Sequence, residues 1–182
     1  MEYVVLGLLM IKPMTIYEMN STFKKGISLF YSASYGSLQR AVKKLLEKKL
    51  ITYYETVSKG RNKKVYSILD IGKERFYKWM MEDIQKNKLE TAILSKLFFL
   101  GLIKDKQDRI IIIKKSIEAI KAYGKELENV EKDIDAIKIP IEYEEIAKYQ
   151  IKTLEYGLNS YRYSLKWYKN LLYEMKKEID EE

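Results

Sequence analysis

The residues in this chain whose types and spacing could do chemistry are cations. None of the 182 residues is Cys or His, which removes disulfides, thiolate and imidazole metal sites and every His-based triad. Two cationic clusters stand out: Arg40, Lys43 and Lys44, then Lys59, Arg61, Lys63 and Lys64. Grouped ammonium and guanidinium groups neutralise phosphates, so the chemistry open to them is polyanion binding. The background charge is uneven in the same sense. Residues 1–69 hold 12 Lys and Arg against 4 Asp and Glu, whereas residues 70–182 hold 22 of each. The net charge of +8 therefore belongs to the first 69 residues, a basic module joined to a neutral one. Asp105/Asp108 and Glu142/Glu144/Glu145 read as helix N-terminal charges that complement the macrodipole. No Gly-rich phosphate loop and no nucleophile with a base is present, so neither an enzyme nor a cofactor is expected.

The first cluster needs a helix to position it. Ser34–Leu50 (SYGSLQRAVKKLLEKKL) reads as one, with Tyr35, Leu38, Ala41, Val42, Leu45 and Leu46 forming an apolar stripe. Gly36, Ser37, Arg40, Lys43 and Lys44 fall on the opposite face, and Ser34 is suited to cap the N-terminus. Small polar residues at the opening and cations behind them suit entry into a DNA major groove.

The elements before it build a helical core. Tyr3–Ile11 is an apolar run read as a buried helix, broken by Lys12-Pro13-Met14. Thr15 to Glu18 is a capping box that starts a second helix to about Lys25, with Ile16, Met19 and Phe23 inward and Gly26 as its end. Ile27–Ala33 is a connection whose Leu29, Phe30 and Tyr31 are expected against the core. After Leu50 the pattern changes to β-branched and aromatic residues, in Ile51–Val57 and Val65–Leu69. The basic loop between them makes a β-hairpin, with Lys59, Arg61, Lys63 and Lys64 at its tip. Three helices and a hairpin in this order spell a winged helix-turn-helix. Asp70 is expected to cap a fourth helix, Ile71 to about Gln85, with Phe76, Trp79 and Met80 apolar. The polar stretch at 86–90 is read as a boundary between domains 1–85 and 86–182.

The second half is helical in pattern. Thr91–Ile103 is a short apolar helix centred on Leu94, Leu97, Phe98 and Leu102, too short to span a membrane. Asp105 is placed to cap a long helix with Ile110, Ile113, Ile117, Ile120, Leu127, Val130, Ile134 and Ile137 as apolar positions; Gly124 falls on the same seam. After Pro140 a second long helix carries Leu154, Leu158, Tyr161, Leu165, Tyr168, Leu172, Met175 and Ile179 at alternating steps of four and three, a heptad seam. The two are expected to form an antiparallel hairpin. Its outer faces carry Tyr149, Tyr156, Tyr163 and Trp167, an aromatic strip that a second copy of the chain would cover. The N-terminal apolar run lacks a basic flank and a small-residue cleavage site, so no signal peptide is read there and a cytoplasmic location is expected.

Three N-terminal stretches, LGLLMIKPMTIYEM, SYGSLQRAVKKLLEKKLI and GRNKKVYSILDIGKERFYKW, together with LSKLFFLGLI and LEYGLNSYRYSLKW, resemble PadR-type transcriptional regulators, in the longer branch that includes the virulence-activator proteins. The resemblance implies a mainly α fold with a small β-hairpin: a winged helix followed by a helical dimerisation domain with two long antiparallel helices. It also implies homodimers on pseudo-palindromic promoter DNA, mostly acting as repressors, many released by a small apolar or aromatic effector near the dimer interface. Three positions depart from the family's habit. Gln39-Arg40 replace a common Tyr-Pro, Lys49 a common Gly before the first wing strand, and Asn62 a common Pro in the wing.

On this reading Ser34, Tyr35, Ser37, Gln39 and Arg40 are the expected groove contacts. Lys43, Lys44 and the wing cations Lys59, Arg61, Lys63 and Lys64 are expected to hold phosphates, and Tyr17 either bonds the DNA backbone or is core. Glu47 shares the helix face and is placed past the groove. Leu154, Leu158, Tyr161, Leu165, Tyr168 and Leu172 are expected at the dimer seam. Trp79, Phe98, Phe99 and Trp167 are the expected lining of any effector pocket. The rival expectation is a coiled-coil adaptor whose basic half meets an acidic protein or an anionic membrane. The cations on a hairpin tip, rather than only on a lipid-facing helix, favour DNA.

Overall fold

The computed structural model describes residues 1–58, 61–85, 88–135 and 138–181. The chain divides into two compact units. One comprises Met1–Glu82 with Glu90–Arg109, the other Asp83–Leu89 with Ile110–Glu182. The expected boundary at 85/86 falls within the short segment that groups with the second unit; Lys86 and Asn87 lie outside the described residues.

In the first unit α1 (Glu2–Ile11) is apolar all round, and Val4, Val5, Leu6, Leu8 and Leu9 are buried on every face. A helix of that composition belongs inside a core, where each such side chain contributes about 1.5–3 kcal/mol by burial. α2 (Ile16–Lys25) opens on the expected capping box: the Thr15 hydroxyl accepts from the Glu18 N–H while the Glu18 carboxylate accepts from the Thr15 N–H at 2.7 Å. Its Met19 and Phe23 are buried, and Gly26 ends it. The connection differs from expectation. Ile27–Leu29 is a 3₁₀ turn that buries Ile27 and leaves Leu29 almost fully exposed, because three residues per turn cannot point Ile27 and Leu29 the same way.

α3 (Tyr35–Glu47) buries Leu38, Ala41, Val42 and Leu45. Tyr35, placed by sequence on that stripe, is half exposed at the helix opening. The helix ends in a Schellman motif: Leu50 N–H donates to the Leu45 carbonyl and Lys49 N–H to that of Leu46. The motif requires a left-handed residue after the cap, and Lys49 supplies it at φ 55°. β1 (Ile51–Ser58) and β2 (Arg61–Ile68) form an antiparallel hairpin in the register Ile51↔Ile68, Tyr53↔Tyr66, Glu55↔Lys64 and Thr56↔Lys63. Met14 pairs with Tyr66 through two backbone hydrogen bonds on the far side of β2, so that strand is bonded on both edges.

α4 (Asp70–Met81) corrects two expectations. Leu69, not Asp70, is its N-cap; Asp70 is already helical and its carboxylate takes Lys73 at 2.8 Å. The helix also stops at Met81 instead of Gln85, where Glu82 turns extended. α5 (Leu89–Phe98) starts earlier than expected and buries Ile93, Ser95 and Lys96, while Phe98 is exposed. The face shift has a visible cause: the Lys96 ammonium donates to the Glu82 carbonyl beyond the end of α4 and lies 5.9 Å from the Trp79 ring centroid.

α6 (Lys106–Asp135) belongs to the second unit from Ile110 onward, where it runs antiparallel to α7 (Glu144–Asp180). The Tyr161 ring lies on Gly124 and Leu127 lies against Gly157, two pairs that step in opposite directions along the two helices. The Asp105 carboxylate accepts from the Gln107 and Asp108 N–H groups, as expected of a cap. Val130 is exposed, against expectation. From Ile120 the seam continues through Gly124, Leu127, Glu131 and Ile134 at steps of four and three, which puts Val130 one residue off it. Ile137 lies outside the described residues. No helix among the described residues is long and apolar enough to cross a membrane.

Candidate nucleic-acid interface

The expected groove-facing residues sit at the free end and outer face of α3. Ser34 caps the helix, its hydroxyl accepting from the Ser37 N–H at 3.2 Å, and the Ser37 hydroxyl donates back to the Ser34 carbonyl at 2.7 Å. Both hydroxyls are thus held in place by the helix, with lone pairs left to accept. Gln39, Arg40, Lys43 and Lys44 are exposed on the face opposite Leu38 and Val42. Glu47 lies one turn beyond Lys43, 4.0 Å from its ammonium, at the far end of the helix. Tyr17, in the first turn of α2, is 76% exposed, which decides between its two readings: it is not core. A cleft of about 360 Å³ lies beside the α3 opening, lined in part by Asn20, Lys24, Ser28, Tyr31 and Ser34.

The hairpin divides its cations by strand alternation. Lys64 shares a face with Tyr53, Glu55 and Tyr66, whereas Lys63 shares the other with Thr56 and Tyr54. The Lys64 ammonium stands 4.3 Å over the Tyr53 ring and 3.7 Å from the Glu55 carboxylate. Tyr53, and behind it Glu55, make Lys64 hold its proton more tightly than usual. Lys59 and Gly60 lie outside the described residues; Arg61 is placed only as the strand partner of Ser58. On α2, the Thr15 N–H and hydroxyl hold the Glu18 carboxyl below its ordinary range, with Lys12 and Lys63 adding to the effect. The Tyr53–Glu55–Lys64 group was not singled out from sequence. A period-two count outward from the loop would have paired Glu55 with Lys64.

The other expected sites are split between the units. In the first, Trp79 stacks on Tyr3 at 4.8 Å and contacts Phe76, which in turn meets Phe99 edge to face. Phe99 is buried against Gly7, where a Cβ would come within 2.7 Å of its ring, so it fills core; Phe98 is exposed beside it. Trp167 belongs to the second unit, where it is exposed and packs against Tyr168. On α7, Leu158 and Tyr168 are buried, and Leu154, Tyr161, Leu165 and Leu172 are half-buried, on the stripe that includes the Tyr161–Gly124 contact. Tyr149, Tyr156, Tyr163 and Tyr173 stand exposed on α7. Burial alone pushes the Tyr168 hydroxyl up from its ordinary range, and it has no hydrogen-bond partner among the described residues. Among those residues no group of His, Cys, Asp or Glu could hold a metal ion.

Comparison with known proteins bears on the first unit above all. Residues 5–78 match the transcriptional regulator PadR-like family. The chain is 30% identical over 82 residues to the negative transcriptional regulator PadR of Bacillus subtilis (strain 168). That match covers 44% of this chain and 45% of the relative, so it spans less than half of the curated protein. Among solved structures, Bacillus subtilis PadR in complex with operator DNA is 21% identical with a TM-score of 0.46, covering 96% of this chain and 98% of that one. The PadR-like transcriptional regulator BC1756 from Bacillus cereus is 29% identical with a TM-score of 0.43, covering 96% and 94%. Bacillus subtilis PadR in complex with p-coumaric acid is 20% identical with a TM-score of 0.40, covering 96% and 94%. Over residues 5–78, where the winged helix is built, the chain is similar to the transcriptional regulator PadR-like family.

Proposed function

We propose that the chain is a cytoplasmic, sequence-specific DNA-binding repressor that acts as a homodimer. The observation that carries this reading is the exposed face of α3, where Gln39, Arg40, Lys43 and Lys44 stand together. In this reading Ser34, Tyr35, Ser37, Gln39 and Arg40 meet base edges from the major groove, and Lys43, Lys44 and the wing cations Lys59, Arg61 and Lys63 meet phosphates. Tyr17, at the start of α2, donates to the backbone. The Bacillus subtilis relative is a negative transcriptional regulator, which supports repression. Selection of bound fragments from a random duplex library, followed by sequencing, tests the reading. A two-fold related consensus is the expected result; an enrichment with no sequence preference would remove it.

Residues 1–85 are the DNA-reading part in this proposal, and residues 86–182, a virulence-activator-like helical domain, pair two copies. The exposed Tyr149, Tyr156, Tyr163 and Trp167 support pairing through α7, since a long helix seldom leaves such a strip in water. Replacing Tyr156 and Tyr163 together with Lys should yield monomers in sedimentation. A double variant that assembles as tightly as the parent would place the interface elsewhere. A small apolar effector would act by binding the DNA-free arrangement better than the DNA-bound one. Trp79 and Trp167 are the reporters for its titration.

A further inference from the structure

The hairpin presents Lys63 and Lys64 side by side in sequence but in different chemical settings. Opposite Lys63 in the register stands Thr56; opposite Lys64 stands Glu55. Lys64 is held from two sides, by the Tyr53 ring at 4.3 Å on the diagonal and by the Glu55 carboxylate at 3.7 Å directly across. Both members of the ion pair are about half exposed, at 48% and 61% of their side-chain surface. An exposed pair of this kind adds little to stability, so its consequence lies in charge. A phosphate that takes Lys64 must draw it away from the carboxylate and then face Glu55, a like charge, across the strand.

Resting on the reading just given, we infer that Glu55 withholds Lys64 from the nucleic-acid backbone and so limits the sequence-independent affinity of the protein. Lys64 then does not count among the phosphate-neutralising cations, although its position in a basic hairpin suggests that it should. Glu55 is in this sense an affinity-setting residue of the DNA-binding face, acting through Lys64 and not by touching DNA.

Each phosphate-neutralising cation adds about 0.9 to the slope of log affinity against log salt. Full-length wild type, Glu55→Gln, Lys64→Gln and the double variant should be titrated with a random-sequence duplex at several salt concentrations. Glu55→Gln is expected to bind more tightly at low salt and to steepen the slope by about one, an extra loss of about 3.5-fold between about 50 and about 200 mM salt. Lys64→Gln alone should leave the slope unchanged, and in the double variant the gain from Glu55→Gln should vanish. If Lys64→Gln lowers the slope by about one with Glu55 intact, Lys64 already holds a phosphate and the inference is overturned. If Glu55→Gln gives the same gain with or without Lys64, the carboxylate acts by plain repulsion and the inference is likewise overturned. Wild type showing no salt-dependent binding to duplex DNA would remove the DNA-binding reading itself, and this inference with it.

Discussion

The backbone carbonyl oxygen of Leu50 would lie 2.2 Å from a Cβ at residue 72, so only glycine lets the first turn of α4 pass over the end of α3. The same carbonyl accepts the Leu69 N–H at 3.0 Å and cannot swing away without losing that bond. One oxygen thereby ties the end of α3, the start of β1 and the start of α4.

Two substitutions at this joint should move stability in opposite directions. Gly72→Ala forces backbone apart and is expected to cost roughly 1–3 kcal/mol or more, as overpacking does. Lys49→Gly relieves a left-handed lysine at φ 55°, a conformation that costs an L-residue roughly 1–2 kcal/mol, so a gain of about 1 kcal/mol is expected. Urea denaturation measures both. A Lys49→Gly variant less stable than the parent would mean that the lysine side chain contributes more than its backbone strain costs.

Much of the first unit was legible in the sequence. The capping box at Thr15–Glu18, the Ser34 cap and the period change at Ile51 are local patterns with local causes, and each stands where expected. Lys49 departs from a glycine common in the family, but only the fold gives the reason, a positive φ, and only the fold shows the close carbonyl that requires Gly72. What failed depended on tertiary partners. Asp70 looked like a cap because Asp usually is one, yet the Leu69–Leu50 bond starts the helix a residue earlier. The buried face of α5 was misassigned because Lys96 reads as a surface residue until the Glu82 carbonyl and the Trp79 ring are found beside it. In the interface, strand alternation hides behind composition: four wing cations look equivalent until the register sets Lys64 against Glu55.

Tyr168 gives an alkaline signature. Its hydroxyl is buried on α7 without a partner among the described residues, and desolvation raises its ionisation above the ordinary value of 10.0. A raised native value means that the stabilisation is fully present below pH 10 and is lost as the unfolded chain ionises above it. Tyr168→Phe should remove that alkaline loss. It should also be neutral or mildly stabilising near pH 7, because an unsatisfied polar group leaves the core. Thermal unfolding across pH 7–11 reads this out, and a large destabilisation at neutral pH would show that the hydroxyl has a partner after all.

Glu18 gives the acidic counterpart. Its carboxyl is held below the ordinary value of 4.5, chiefly by the Thr15 backbone N–H. A depressed native value contributes stability above the unfolded value, lost as pH falls from about 4.5 through the lower native one. Thr15→Ala should cost about 1 kcal/mol by breaking the box. Glu18→Gln should keep most of the cap, since Gln can also reach back, yet lose its share of the acid dependence. Unfolding followed from pH 3 to 6 distinguishes the two. Equal pH dependence in parent and Glu18→Gln would show that the box does not titrate.

The sharpest functional expectation separates the outer face of α3 from the hairpin. Gln39 is exposed, uncharged and on the first turns of the helix, so it can choose between bases but cannot hold a phosphate strongly. Lys63 is exposed on the hairpin face that carries no opposing carboxylate in register. Gln39→Ala should therefore weaken binding to the selected operator by about 1–3 kcal/mol and barely alter binding to a scrambled duplex. Lys63→Gln should weaken both alike and reduce the salt slope by about one. Ser37→Ala is a harder case, because its hydroxyl also donates to the Ser34 carbonyl. Its effect on operator binding must be read against its effect on melting temperature. If Gln39→Ala leaves discrimination intact, α3 does not read bases through this residue. If neutralising Lys63, Lys43 and Lys44 together changes neither affinity nor salt slope, these cations are only solvated surface, and the polyanion partner inferred from the charge of the first 69 residues falls away.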